Sequence, residues 1–130
     1  MENMSKSILI IDDNKGIRDA FTYALEDTEY LIDTSGSGEK AVAMEKENKY
    51  DLIFLDLKMP GWNGIKTLRE LRKIDKNKPI YIVTAFYKEF FNQLKDAREE
   101  GLQFEILSKP IDSTQILSVT KDILDMQIEP

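Results

Sequence analysis

The chain contains neither cysteine nor histidine among its 130 residues. The absence of cysteine excludes disulfide bonds, thiolate metal sites and a cysteine nucleophile. The absence of histidine removes the commonest general base and metal ligand of proteins. Any chemistry that this chain performs must therefore rely on carboxylates, hydroxyls, lysines or a bound metal ion.

Basic charge and long apolar runs are also scarce. Eighteen Lys and Arg residues against twenty-four Asp and Glu residues give a net charge of −6, so a broad nucleic-acid surface is not expected. The longest uncharged apolar stretches span only about five residues, whereas a membrane-spanning helix needs about 20. Residues 1–5 lack the apolar core of a signal peptide. We therefore expect a cytoplasmic protein of one domain that does not bind membranes.

Short runs rich in β-branched and aromatic residues recur along the chain and predict five strands. They cover residues 8–11, 30–33, 52–55, 80–83 and 104–107. Segments of helical length separate the runs, and this alternation predicts an α/β fold, a doubly wound five-stranded parallel sheet with five helices. The second run is partly polar, which favours an edge position, whereas the first, third and fourth are apolar throughout and favour the interior.

Each predicted helix carries apolar residues at spacings of three or four, as is typical of a helix that packs on a sheet. Aromatic residues also crowd the start of the fourth helix, and we expect about half of these to face solvent or a partner. The aromatic residues are Phe86, Tyr87, Phe90 and Phe91. The core stripes are Ile17, Phe21 and Leu25; Ala41 and Met44; Ile65, Leu68 and Leu71; Phe90, Leu94 and Ala97; and Ile116, Thr120 and Ile123.

Three acidic residues follow two of the most apolar predicted strands. Asp12 and Asp13 come directly after the first run, and Asp56 comes directly after the third. Open α/β folds bind ligands at the carboxyl ends of their strands, so these side chains are expected to converge. Converging carboxylates repel one another unless a hard cation lies among them, which predicts a Mg²⁺ site. The alternative is that Asp12 and Asp13 merely cap the helix that begins near Gly16.

Asp56 also has the properties of a nucleophile. Pro60 extends neither strand nor helix, so a loop begins here and leaves the carboxylate accessible. A carboxylate that attacks phosphorus forms an acyl phosphate, and a bound metal would offset the charge of the incoming phosphoryl group. Thr84 and Lys109 follow the fourth and fifth strands and reach the same edge, where a hydroxyl and an ammonium can bind phosphoryl oxygens.

Five motifs stand in order at or just after the predicted strand ends. They are Asp12-Asp13, Asp56-Leu-Lys-Met-Pro-Gly61, Asn63-Gly64, Thr84-Ala85 and Lys109-Pro110. Together they resemble the receiver domain of two-component response regulators, the CheY-like superfamily, over nearly the whole chain. The resemblance implies a single receiver domain over 1–130, with a core of about 6–126, and a flavodoxin-like fold with strand order 2-1-3-4-5.

The resemblance also implies how the acidic residues act. Asp56 would accept a phosphoryl group from a sensor histidine kinase or a phosphotransfer protein, since a chain without histidine is not its own donor. Asp13, Asp56 and the backbone carbonyl of Lys58 would bind Mg²⁺ directly, and Asp12 would act largely through water. The chain would catalyse only its own phosphorylation and slow autodephosphorylation.

Three further residues would surround the phosphoryl group in a domain of this kind. Thr84, Ala85 and Lys109 would bind its oxygens, and Lys109 would precede a cis peptide bond to Pro110, a bond type otherwise rare. The hydroxyl of Thr84 would move toward the new phosphoryl group when the domain switches.

The aromatic residue that turns inward on the fifth strand of receiver domains has no direct counterpart in this chain. The usual position, three residues before Lys109, holds Ile106, and Phe104 lies two residues earlier. Either one is a candidate for the switch role. Phe86, two residues after Thr84, is placed to slow dephosphorylation. We expect a downstream protein or effector domain to bind the face made by the fourth helix, fifth strand and fifth helix.

Other functions are compatible with parts of the pattern. A Mg²⁺-dependent phosphatase with Asp56 as its nucleophile would resemble the haloacid-dehalogenase-like hydrolases, but these place two acids two residues apart on the first strand. A nucleotide- or flavin-binding module would share the fold, yet no Gly-rich phosphate loop follows the first strand. A phosphorylation-independent interaction module would not need the full set of site residues.

The sequence does not indicate which downstream response the domain controls. The predicted fifth helix ends near the end of the chain, so we expect no effector domain to follow it here. The chain is then either a stand-alone receiver or a fragment of a longer regulator. We expect a monomer, or a dimer that forms on phosphorylation.

Overall fold

Five strands alternate with five helices in the computed structural model, which describes residues 5–125. The predicted core thus ends at a residue, Met126, that lies outside the described part. None of the helices within 5–125 is long and apolar enough to cross a membrane. The strands are β1 (Ser7–Ile11), β2 (Leu31–Ser35), β3 (Leu52–Leu55), β4 (Ile80–Thr84) and β5 (Glu105–Ser108). The helices are α1 (Lys15–Ala24), α2 (Gly38–Asn48), α3 (Gly64–Ile74), α4 (Phe91–Glu99) and α5 (Ser113–Asp125).

The strands form one parallel sheet in the order β2-β1-β3-β4-β5. This order confirms the predicted doubly wound, flavodoxin-like fold, including the edge position of β2 and the interior positions of β1, β3 and β4. The chain leaves β1 toward β2 on one side and later reaches β3 on the other. A crevice therefore opens between the carboxyl ends of β1 and β3, where folds of this kind bind their ligands.

Helices cover both faces of the sheet and bury two apolar clusters. Helices α2, α3 and α4 pack on one face, over strand residues such as Leu9 and Leu55. Helices α1 and α5 pack on the other, over Ile10 and Phe54. Successive residues of β1 and β3 alternate between the two clusters, so these strands are apolar on both faces. The double-sided packing fixes the strand ends that carry the site.

The predicted core stripes are all buried or partly buried in the structure. In α5, Ile116 and Thr120 are buried and Ile123 is partly buried against the core, while its neighbour Leu124, which the predicted stripe did not include, is fully buried. Successive side chains of an α-helix point in directions about 100° apart around the helix axis. A shift of one residue in the pattern therefore changes which side chain faces the core.

Two predicted strands also need corrected boundaries. Strand β2 covers 31–35 rather than 30–33, and β5 begins at Glu105 rather than Phe104. Strand β5 begins where its pairing with β4 begins, at the partners Tyr81 and Glu105. The apolar pattern assigned Phe104 to the strand because, in sequence, a buried aromatic residue next to a strand cannot be told from a strand residue.

Helices α1, α2 and α3 begin with polar caps. The side chains of Asn14, Ser37 and Asn63 accept hydrogen bonds from backbone N–H groups in the first turn of each helix, which satisfies donors that the helix itself leaves unpaired. Asn14, and neither Asp12 nor Asp13, therefore caps α1. The alternative function of the two acids as helix caps is wrong.

Candidate functional site

Asp12 and Asp56 stand at the carboxyl ends of β1 and β3, where the crevice opens. Both are buried, with 3% and 4% of their surface exposed. The N–H of Asp12 donates to the carbonyl of Ser35 at 3.1 Å, and the N–H of Asp56 donates to the carbonyl of Ile11 at 2.9 Å. These bonds continue the ladder of the sheet, so rigid strands hold the two carboxylates beside each other.

Asp13 completes a group of three carboxylates. One oxygen from each of Asp12, Asp13 and Asp56 lies within 4.8 Å of the others. Closely spaced hard oxygen donors fit a hard divalent cation such as Mg²⁺, and this set offers no nitrogen or sulfur for softer metals. Asp13 is exposed, so this side of the group is open to solvent. The donor chemistry therefore fits the predicted metal.

Lys109 brings one positive charge into the group from the end of β5. Its Nζ donates to Oδ2 of Asp12 at 2.9 Å and to Oδ1 of Asp56 at 3.3 Å. Its backbone N–H donates to the carbonyl of Thr84 at 2.9 Å, which ties β5 to β4 at this level. The peptide bond from Lys109 to Pro110 is cis, as the resemblance implies.

The charges of the group are not balanced, and the pKa values reflect this. Burial, followed by the negative charge of Asp12, raises the pKa of Asp56 to about 6, although Lys109 acts in the opposite direction. Burial by itself lowers the pKa of Lys109, but its hydrogen bonds and charge attraction to Asp12 and Asp56 raise the value above the usual range. At neutral pH Asp56 is thus mainly ionised and Lys109 is protonated.

A close approach of α3 positions the loop that follows Asp56. A Cβ at position 64 would lie 2.4 Å from the carbonyl oxygen of Asp56 and 2.7 Å from Cα of Leu57. The N–H of Gly64 donates to the carbonyl of Leu57 at 2.8 Å. Only glycine allows this contact, so Gly64 lets the start of the helix support the carboxyl end of β3.

Thr84, the last residue of β4, lies at the same edge of the sheet and is almost fully buried. Its Oγ1 accepts a hydrogen bond from the N–H of Phe86 at 2.8 Å, so the hydroxyl proton remains available to another acceptor. Thr84, Ala85, Phe86 and Lys109 line one open depression of ≈ 410 Å³. The three predicted phosphoryl-binding residues are thus neighbours.

Lys58 connects the loop after β3 with the loop after β4. Its Nζ lies 3.2 Å from Oε1 of Glu89 and 4.5 Å from the ring centre of Phe86. The sequence did not indicate Glu89, because Lys58 and Glu89 are 31 residues apart and no pattern marks them as partners.

The sequence also did not indicate Arg18 as a neighbour of the site. Its Nη1 donates to the backbone carbonyl of Asp12 at 2.8 Å.

The two candidates for the aromatic switch lie in different surroundings. Phe104 precedes β5 and is buried, and the guanidinium carbon of Arg98 lies 4.1 Å from its ring centre. Ile106 pairs with Ile82 in the ladder and is partly buried against the same apolar cluster. The switch roles of both residues stay predictions.

An aromatic patch lies at the start of α4, and we define it as Phe86, Tyr87 and Phe91. These side chains are 39%, 41% and 48% exposed, whereas Phe90 is buried in the core. Tyr87 and Phe91 contact each other edge to face, with ring centres 5.8 Å apart. Helix α4 begins only at Phe91, so the first two rings lie in the preceding loop. More than the expected half of the aromatic residues therefore face solvent.

A family model described as the response regulator receiver domain matches residues 8–121. Sporulation initiation phosphotransferase F of Bacillus subtilis is 29% identical over 124 residues, which cover 95% of this chain and 98% of that protein. Chemotaxis protein CheY of Halobacterium salinarum is 29% identical over 121 residues, which cover 93% and 98%. The alkaline phosphatase synthesis transcriptional regulatory protein PhoP of Bacillus subtilis is 32% identical, and the match covers 93% of this chain but only 49% of that regulator.

Solved structures share the fold. A CheY-like response regulator receiver domain protein from Methanospirillum hungatei superimposes with a TM-score of 0.83 at 24% identity, over 95% of this chain and 96% of that one. The chemotaxis protein CheY4 of Vibrio cholerae gives a TM-score of 0.80 at 24% identity, over 92% and 99%. These structures agree with the strand order described above.

Proposed function

Because the chain belongs to the response regulator receiver domains of two-component signalling, whose general function is to accept a phosphoryl group, we propose that Asp56 is its phosphoacceptor. The observation that carries this proposal is the position of Asp56. It is an ionised, buried carboxylate between two other carboxylates and the ammonium of Lys109. The phosphorylated form is then the signalling state of the domain.

In the proposed reaction, a carboxylate oxygen of Asp56 attacks the phosphorus of the donor. A bond forms between this oxygen and phosphorus, and the bond from phosphorus to the leaving group breaks. The leaving group keeps the electron pair. Lys109 contacts Oδ1 of Asp56, so it stands beside the reacting carboxylate, where its positive charge stabilises the negative charge of the transferring group.

We propose that Asp13, Asp56 and the backbone carbonyl of Lys58 bind Mg²⁺ directly, with Asp12 acting largely through water. The group of three carboxylates supports this assignment. When bound, Mg²⁺ would neutralise charge on the carboxylates and on phosphoryl oxygens. Asp12 has the further role of orienting Lys109, because it shares that ammonium with Asp56.

Three residues are proposed to hold the phosphoryl oxygens. The backbone of Ala85, the hydroxyl of Thr84 and the ammonium of Lys109 border one depression. Phosphorylation would draw the Thr84 hydroxyl from its contact with the Phe86 N–H toward the new group. That movement would change the loop before α4 and with it the aromatic patch, where Phe86 also limits access of water to the acyl phosphate.

The donor is proposed to be a sensor histidine kinase or a phosphotransfer protein, because the chain contains no histidine. The face of α4, β5 and α5 is the proposed surface for a downstream protein or effector domain. Its exposed aromatic patch supports this, since contiguous exposed apolar side chains commonly mark binding sites. Phe104 and Ile106, near and in β5, are the proposed link between the site and this face. We propose that the protein is a monomer or dimerises on phosphorylation.

The direct test is intact mass after incubation with Mg²⁺ and acetyl phosphate, on the wild-type chain and on Asp56→Asn. We expect the wild type to gain one phosphoryl group only when Mg²⁺ is present, and the variant to gain none. Asp51→Asn is the matched control, because Asp51 precedes the same strand, accepts from the N–H of Ser7 at 2.8 Å and lies far from the group. This control should be phosphorylated like the wild type.

Two outcomes would contradict the proposal. Phosphorylation that persists in Asp56→Asn would place the acceptor elsewhere. No gain of mass in a protein that binds Mg²⁺, measured on a timescale faster than hydrolysis, would make it a phosphorylation-independent interaction module.

A further inference from the structure

Arg18 contacts the acidic group from the first turns of α1. Its Nη1 donates to the backbone carbonyl of Asp12 at 2.8 Å, and the side chain is half-buried. A guanidinium bound to a neutral carbonyl, with three carboxylates nearby, is an unexpected choice of partner. The contact therefore requires an explanation other than charge pairing.

Gly36, in the turn between β2 and α2, borders the same guanidinium. A Cβ at position 36 would lie 3.2 Å from Nη1 of Arg18 and 3.7 Å from its Cζ. The preceding residue, Ser35, accepts the backbone hydrogen bond of Asp12. Arg18 is thus held in a narrow space between the end of β1 and this turn, and the glycine leaves that space open.

Asp12 is held at each of its polar groups. Its N–H donates to Ser35, Oδ1 accepts from the N–H of Asn14 at 2.9 Å, and Oδ2 accepts from Lys109. Arg18 binds the remaining group, the carbonyl. This carbonyl belongs to the peptide unit that leads to Asp13, so the contact also fixes the direction in which the chain presents Asp13.

We infer that Arg18 is a positioning residue for the metal site: its hydrogen bond to the Asp12 carbonyl holds the peptide between Asp12 and Asp13 in the orientation that binds Mg²⁺. The inference rests on the proposed function, since it assumes that the group of carboxylates binds Mg²⁺. Arg18 itself does not contact the metal. Residues that orient metal ligands in this way typically change metal affinity by about 10–100-fold when they are removed.

Charge and positioning lead to opposite results when Arg18 is replaced. If Arg18 acted only through its positive charge, its removal would reduce repulsion of a cation and strengthen Mg²⁺ binding. If Arg18 positions the carboxylates, its removal weakens Mg²⁺ binding despite the loss of a repelling charge. The sign of the change in affinity therefore separates the two explanations.

The experiment measures the Mg²⁺ dissociation constant by isothermal titration calorimetry for the wild type, Arg18→Met and Gly36→Ala. We expect about tenfold weaker binding in Arg18→Met and a smaller loss in Gly36→Ala, where the new methyl group, 3.2 Å from Nη1, pushes the guanidinium aside by a few tenths of an ångström without changing any charge. Lys15→Met is the control, because Lys15 lies on the same helix and, within residues 5–125, pairs with exposed Asp19 at 2.8 Å. It should bind Mg²⁺ as the wild type does, or slightly more tightly.

Thermal unfolding without metal accompanies each titration, so that a general loss of stability is recognised. Equal or tighter Mg²⁺ binding by Arg18→Met, in a wild type that binds the ion, would overturn the positioning role and leave the proposed function intact. A wild type that binds no Mg²⁺ would instead overturn the proposed metal site. If Arg18→Met does not fold, Gly36→Ala decides the question, and unchanged affinity in that variant overturns the inference.

Discussion

Buried charged side chains occur at both ends of the strands, and the two groups differ in their balance. At the carboxyl end, the ammonium of Lys109 pairs with Asp12 and Asp56, and Asp13 adds a third carboxylate close to both. At the amino end, Glu45 of α2 pairs with one residue, Lys78, just before β4.

The amino-end pair finds its counter-charge and two backbone partners within the protein. Oε1 of Glu45 accepts from the N–H of Tyr50 at 3.0 Å, and Nζ of Lys78 donates to the carbonyl of the same residue. Both side chains are more than nine-tenths buried. The ammonium of Lys78 thus contacts the carboxylate of Glu45, which the buried guanidinium of Arg72 also attracts, and backbone groups of the segment before β3 take up further hydrogen bonds.

The comparison distinguishes a structural ion pair from a ligand site. Burying charges costs free energy, which is offset only when partners and hydrogen bonds are complete. In the amino-end pair each charge lies beside an opposite charge, although Oε2 of Glu45 is buried without a hydrogen bond to any described residue, whereas the carboxyl-end group has an excess of negative charge and a raised pKa at Asp56. We therefore expect the first to stabilise the apo fold when intact and the second to need an added cation.

The largest effect is expected when the amino-end pair is broken. Glu45→Gln leaves the ammonium of Lys78 buried without a counter-charge, so the free energy of unfolding should fall by about 3–4 kcal/mol. Urea unfolding followed by circular dichroism measures this change. The double variant Glu45→Met with Lys78→Met should regain most of the loss, because it removes both charges together.

The exposed pair of Lys15 and Asp19 is the control for this prediction. Both side chains are more than half exposed, so Asp19→Asn should change stability by less than about 0.5 kcal/mol. Equal losses in Glu45→Gln and Asp19→Asn would contradict the view that burial sets the importance of the amino-end pair.

Removal of one charge at the carboxyl end should raise the free energy of unfolding instead of lowering it. Asp56→Asn relieves repulsion among the carboxylates, so the metal-free variant should be more stable than the metal-free wild type by about 1–2 kcal/mol, solvent screening included. Thermal unfolding measures the difference. Saturating Mg²⁺ should stabilise the wild type and have little effect on the variant. A variant that is less stable than the metal-free wild type would show that the carboxylates do not repel one another strongly.

The difference in stability between Asp56→Asn and the metal-free wild type should depend on pH. The pKa of Asp56 is raised from 3.8 to about 6 in the folded protein, so the folded state binds this proton more tightly than the unfolded state. Stability from the bound proton is present below about pH 4 and is lost as pH rises through 6. The difference in melting temperature between Asp56→Asn and the metal-free wild type should therefore widen from about pH 4 to about pH 6 and then stay constant. A difference that is independent of pH would contradict the raised pKa.

The smallest effect concerns a buried polar group that carries no charge. Within the described residues, Oγ1 of Thr120 on α5 is buried without a hydrogen-bond partner. Thr120→Val keeps the shape and removes the unsatisfied hydroxyl, so stability should rise by about 1 kcal/mol. The melting temperature measures this gain, and Thr22→Val, on an exposed hydroxyl that donates to the Arg18 carbonyl at 3.0 Å, is the control expected to give no gain.

Much of the fold follows from local patterns. Apolar runs place the central strands to within a residue or two, because strands buried on both faces need apolar residues throughout. The errors lie where that rule is weakest, at the half-polar edge strand β2 and at Phe104 before β5. The strand order was predicted through the resemblance, since alternation of strands and helices is compatible with several orders.

The residues of the candidate site could be predicted from the sequence, whereas most of the contacts between them could not. Asp12, Asp13, Asp56, Thr84 and Lys109 were identifiable because each stands at the end of a strand, and parallel strands end at one edge. Their mechanistic roles stay predictions. The contacts made by Lys58 with Glu89 and by Arg18 with the Asp12 carbonyl depend on how side chains turn once the elements have packed.

The sequence by itself therefore determined the fold class, the acidic edge and the absence of any histidine or cysteine chemistry. These properties depend on residue type and on spacing along the chain. Only the tertiary structure decided that Lys109 bridges Asp12 and Asp56, residues 97 and 53 positions away, and that Glu45 is matched by Lys78 at the opposite end. The balance of charge in each group is a sum over neighbours in space, and neighbours in space are set by packing.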